Sequence, residues 1–126
     1  MTAHRTVTDY VQDMFDNAEK ARGFVHDVDF ETFSADEQKI YAVVRALEVI
    51  GEAARHVPKH IRAQYPAVPW RKVTGMRDKV IHDYFGVDLQ VVWKTLHRDL
   101  PALQAALTSV LADLNAQEDN GTKDEE

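Results

Sequence analysis

The 126-residue sequence contains no cysteine. Disulfides, thiol nucleophiles and cysteine-bound zinc are therefore excluded, and the usage fits a reducing compartment. Its five glycines are scattered at 23, 51, 75, 86 and 121, and its only serines are Ser34 and Ser109. Neither a phosphate-cradling glycine loop nor a G-x-S-x-G nucleophile elbow can be written from them. No apolar run approaches the length of a membrane span, and Met1 to Asp13 lacks the basic-then-apolar layout of a secretion signal. A soluble, cytoplasmic protein without membrane attachment is expected.

The length suits one domain, and 44% hydrophobic residues suffice for a single core. The net charge of −6 speaks against a polyanionic partner until its distribution is considered. Residues 113–126 hold six acids against Lys123, so they carry −5. Residues 55–82 hold seven bases against Asp78, so they carry +6. A basic segment is thus available to a polyanion, although a solvated basic face gives the same pattern. The division expected is a helical domain over 1–114 and an acidic, disordered tail over 115–126.

Apolar residues recur at three- and four-residue steps from Val7 to Ala21, giving a first helix near 5–24. Ser34 and Glu37 are spaced as a capping box opening a second helix with Ile40, Val43, Val44, Leu47 and Ile50 inward. Gly51, Ala53 and Ala54 leave room for a close helix neighbour, Pro58 ends the run, and 59–64 suits a short helical turn. Pro69 is placed to open a third helix running through Tyr84 to a cap at Gly86. Asp88 reads as the N-cap of a last long helical stretch from Leu89 to Leu114, bent at Pro101. No segment alternates convincingly at period two. The fold expected is all-α, an up-and-down bundle of four main helices.

The richest chemistry lies in Gly75-Met76-Arg77-Asp78-Lys79-Val80-Ile81-His82-Asp83-Tyr84. Cleaving RNA without a metal needs a group that moves the 2′-hydroxyl proton near neutral pH and a fixed cation for the charged phosphorane. His82 and Arg77 are suitable types. Five residues turn about 140° round an ideal helix, so the pair shares a face only if the helix distorts or a second chain completes the site. Arg77 and Tyr84 do share a face, as do Asp78 and His82. The bland alternative is a surface arginine, a helix-capping histidine and a half-buried tyrosine.

Glu48, Glu52 and His56 step by four along the second helix, but bundle metal sites use Glu-x-x-His and acids from several helices, so no metal site is assigned. His4, His26 and His97 have no convergent partners in sequence. Trp70, Trp93, Phe15 and Phe24 read as core residues rather than base-stacking platforms.

Ile50-Gly51-Glu52-Ala53-Ala54, Pro69-Trp70, Gly75-Met76-Arg77-Asp78 and the R-x4-H-x-Y spacing of Arg77, His82 and Tyr84 together resemble the HepT-like branch of the HEPN superfamily. The resemblance implies a helical-bundle homodimer with an interfacial cleft, acting as a metal-independent RNA-cleaving toxin of a type VII toxin–antitoxin system. It implies Arg77 and His82 as the catalytic pair, with no cofactor, and Glu52, in the other family motif, either orients that pair or is a helix-surface carboxylate paired with a base. Asp78, four residues before His82, is the expected support of the histidine from helix geometry. The resemblance further implies a minimal-nucleotidyltransferase (MNT-type) antitoxin that silences the toxin by transferring AMP from ATP to Tyr84. Cleavage would leave a 2′,3′-cyclic phosphate and a 5′-hydroxyl. Asp78 departs from the asparagine familiar at that position: its carboxylate repels phosphate while favouring a charged His82. That departure and the overall acidity favour the alternative, a non-catalytic HEPN module that binds a nucleotidyltransferase or RNA, whereas the intact Arg77, His82 and Tyr84 favour the enzyme, which is the leading expectation.

Overall fold

The computed structural model describes residues 5–76 and 88–125, from residue 120 onward as backbone alone. Everything described is helix or connection, with no strand among the described residues. The elements are α1 (Val7–Phe24), α2 (Phe30–Ala35), α3 (Glu37–Arg55), α4 (Lys59–Gln64), α5 (Trp70–Thr74) and α6 (Leu89–Lys94). A π turn (Thr95–Asp99) then leads directly into α7 (Leu100–Glu125).

α1 is the central member. Its start meets the end of α3, where the Tyr10 and His56 rings stack, and its end meets the start of α3, where Lys39 Nζ donates to the Phe24 carbonyl at 3.1 Å. Arg22 bonds to Gln104 near one end of α7, while Thr8 bonds to Glu118 near the other at 2.6 Å. Both long neighbours therefore run antiparallel to α1. Val11, Met14, Ala18 and Ala21 face Val43, Leu47 and Ile50 from α3 and Leu100, Leu103 and Leu107 from α7 in one buried cluster. The core is the one that the helical periodicity of these stretches predicts.

Several local features differ from expectation. α1 opens with a capping box of Thr6 and Asp9, each side chain accepting the other residue's backbone N–H. The box expected at Ser34 and Glu37 is absent. Ser34 lies within α2 and its hydroxyl donates to the Glu31 carbonyl, while Asp36 caps α3 by accepting from Lys39 N. Asp36 prevails because a carboxylate beside the helix start satisfies the exposed donors and favours the positive end of the helix dipole. α2 itself, capped by Asp29, fills what reads in sequence as an acidic connection, and it delivers Phe33, fully buried, against Trp93.

Pro58 ends α3, and α4 occupies the expected 59–64. Asp88 caps α6 through Gln90 N, as its sequence position suggests. The irregularity expected at Pro101 takes the form of the π turn just before it, where the Leu100 N–H reaches back five residues to the Thr95 carbonyl. A proline has no N–H to give and its ring crowds the carbonyl four residues earlier, so a wider turn there relieves the helix. α7 does not end where the acidic tail was expected to begin, but runs to Glu125. Among its described side chains the last buried one is Leu114. Phe24, expected inside, is 37% exposed. It is the last residue of α1.

Candidate functional site

The approach to the Arg77 motif is built by α4 and α5. Trp70 is buried and its indole N–H donates to the Tyr65 carbonyl at 3.0 Å, fixing the entry to α5. Val73 and Met76 are also buried, so the chain is anchored up to the residue before Arg77. Lys72 Nζ lies 3.0 Å from the Asp99 carboxylate, which joins α5 to the π turn. The chain re-enters at Asp88, the α6 cap. α5 ends at Thr74 with Gly75 as its C-cap, so the single third helix expected from Pro69 through Tyr84 is interrupted there. Arg77, Asp78, His82 and Tyr84 lie outside the described residues, as does the expected course of the chain beyond Met76.

Glu52 lies on the exposed side of α3, its carboxylate 3.6 Å from His56 Nε2. His56 in turn stacks on Tyr10, with ring centroids 4.7 Å apart and planes 11° from parallel. The Arg5 guanidinium sits over the Tyr10 ring, 5.0 Å from its centroid, and forms an ion pair with Asp13. These side chains surround an open cleft of about 350 Å³ between α1 and α3. Cation–π contact and ring stacking make this a preformed wall rather than a loose set of surface charges.

The rest of the sequence-selected basic segment divides clearly. Arg62 belongs to the fold: its Nε donates to the Val57 carbonyl at 2.8 Å and its terminal nitrogen to those of Ala54 and Arg55, closing the C-terminal end of α3. Arg71 and Lys72 are exposed at the last turn of α5. The small residues Gly51, Ala53 and Ala54 are buried within this one chain, so their face is spent on internal packing and offers no free surface for a second copy. Glu48 pairs with Arg45 while Glu52 pairs with His56, and among the described residues no group of three or more metal-binding side chains converges.

Residues 14–110, which include the segment from Glu52 through Tyr84, match the ribonuclease HepT-like family. The chain belongs to that family. HepT-like relatives align over most of their own length: a protein of Thermococcus cleftensis named "Probable ribonuclease HepT" is 43% identical over 100 residues, 79% of this chain and 91% of its own. Two proteins of Methanocaldococcus jannaschii provisionally named RNases are 36% and 39% identical, covering 92% and 87% of this chain and 96% and 95% of theirs. No solved structure matches the chain. No helix among the described residues is long and apolar enough to cross a membrane.

In this HepT-like chain the sequence alone did not disclose the Arg5–Tyr10–His56 column. Tyr10 on α1 and His56 just past α3 are 46 residues apart, Arg5 lies just before α1, and only the antiparallel pairing of α1 and α3 unites them. The one available signal is the i, i+4 step from Glu52 to His56.

Proposed function

We propose that this protein is a metal-independent endoribonuclease toxin in which His82 moves protons and Arg77 stabilises the scissile phosphate. The carrying observation is the HepT-like family match over 14–110, which spans Arg77, His82 and Tyr84 in their R-x4-H-x-Y spacing. In the reaction the 2′-oxygen gives up its proton and attacks phosphorus while the bond to the 5′-oxygen breaks and that oxygen takes up a proton, with His82 serving one of these two transfers as general acid or base and solvent water the other. The products are a 2′,3′-cyclic phosphate and a 5′-hydroxyl. Arg77 supplies a planar, permanently charged fork for the phosphorane oxygens. Asp78 and Glu52 orient this pair. The site lies at the cleft of a homodimer, which resolves the awkward five-residue offset between the two catalytic side chains.

The reading extends to regulation. A minimal nucleotidyltransferase encoded with this chain transfers AMP to Tyr84, and the added phosphate and nucleoside occupy the place of the RNA. The buried anchors at Trp70, Val73 and Met76 support a rigid base for the motif. The test is incubation of the purified chain with RNA in excess EDTA, followed by identification of the ends. Cleavage giving cyclic phosphates supports the proposal. No cleavage, or cleavage abolished by EDTA, rejects it.

A further inference from the structure

Between α5 and the π turn lies a groove of about 240 Å³, floored by the buried side chains of Val73, Met76 and Leu103 and edged by Lys72, Arg98 and Asp99. It is small by the standard of ligand pockets, with room for a single base or ribose phosphate. Apolar floor and cationic edge are the two surfaces that a nucleotide presents chemistry to, through its base and its phosphate.

The state of the arginines separates this groove from the rest of the surface. Arg5 is held by Asp13, Arg22 by Gln104, Arg45 by Glu48 and Arg62 by three carbonyls, and Arg55 also has a partner. Among the described residues, nothing pairs with Arg98, although Asp99 is next to it in sequence. That carboxylate is directed to Lys72 instead. The fold thus neutralises the lysine and leaves the guanidinium, the better phosphate ligand, exposed at the groove edge. Arg71, also exposed and unpaired among the described residues, lies one residue before Lys72 on α5.

Met76, which lines the groove, immediately precedes Arg77 in the sequence.

Resting on the ribonuclease reading, we infer that this groove seats one nucleotide of the RNA next to the scissile bond, with Arg98 holding its phosphate and the floor of Val73, Met76 and Leu103 receiving its base or ribose. Asp99 acts as a positioning residue, holding Lys72 to the side so that the groove keeps one strong cation.

The probe is a short fluorescein-labelled 2′-O-methyl oligoribonucleotide, which keeps phosphates and bases but has no 2′-hydroxyl to react. Its binding to the full chain is measured by anisotropy across a salt series. Arg98→Ala should weaken binding about tenfold at low salt and make the slope of log affinity against log salt shallower by about 0.7, the signature of one lost phosphate contact on a single strand. Arg98→Lys should recover part of the loss. Asp99→Asn should tighten binding, and Lys20→Ala, on exposed α1 surface, should leave it unchanged. Melting curves confirm that each variant is folded. Arg98→Ala with wild-type affinity and salt slope overturns the inference. Cleavage of unmodified RNA in EDTA by the same wild-type preparation shows separately whether the ribonuclease reading stands, so the two can fail independently.

Discussion

The ring of Tyr10 at the start of α1 lies flat against that of His56 just past the end of α3, 4.7 Å between centroids. This contact closes one end of the antiparallel pair, and Glu52 holds the other side of the imidazole through Nε2. Tyr10→Ala and His56→Ala should each destabilise the chain, and the double-mutant cycle should give a coupling of about 0.5–1.5 kcal/mol by urea unfolding. Strict additivity would show that the stack contributes nothing.

Two helix caps predict the acid limb of the stability curve. Asp9 is held below its ordinary 3.8, chiefly by the backbone N–H of Thr6 and further by the Thr6 hydroxyl and the Arg5 charge. Asp29 is also held below 3.8, by the hydroxyl and then the backbone N–H of Thr32. Because both folded values are depressed, their contribution is fully present above pH 3.8 and is lost as pH falls through the lower folded values. The melting temperature should therefore decline below that point, and Asp9→Asn with Asp29→Asn should flatten the decline. An unchanged acid limb in the double variant would contradict this assignment.

Arg62 gives a prediction opposite in kind to that for Arg98. Its guanidinium closes the end of α3 on three carbonyls, so Arg62→Ala should cost about 1–3 kcal/mol in unfolding free energy. Arg62→Lys should recover little, because an ammonium cannot span the same fork. The salt dependence of RNA binding should not change. A stable Arg62→Ala protein with a shallower salt slope would place this residue at the RNA instead.

The long elements were legible because their signals are local. Periodic apolar residues mark α1, α3 and α7, and Asp88 announces its helix. Ser34 misled because its spacing to Glu37 satisfies the capping pattern, while Asp36, two residues on, is the stronger cap in place. Phe33 went unread as core because α2 is too short for periodicity to show, although Asp29 followed by Phe30 and Phe33 carries a faint signal. Arg62 could not be told from Arg98 in sequence. Both are bases, and only the three carbonyls presented by the end of α3 give one of them a structural task. The Arg77–His82–Tyr84 motif was legible as residue types and spacing, and its assignment rests on those and on the family match.

Regulation through Tyr84 predicts a mass change. Co-expression with the proposed minimal-nucleotidyltransferase partner should add AMP in whole units to the intact chain, and Tyr84→Phe should abolish the additions and release toxicity. A fully silenced chain without added mass would mean that complex formation alone is the control.

RNA cleavage in EDTA compares the His82→Ala chain with the wild type, both shown to be folded by their melting curves. A general acid or base contributes about 10² to 10⁴ in rate, so the wild type should release 2′,3′-cyclic phosphate ends while His82→Ala falls by at least that lower factor. Wild-type cleavage retained in folded His82→Ala protein would exclude His82 from proton transfer.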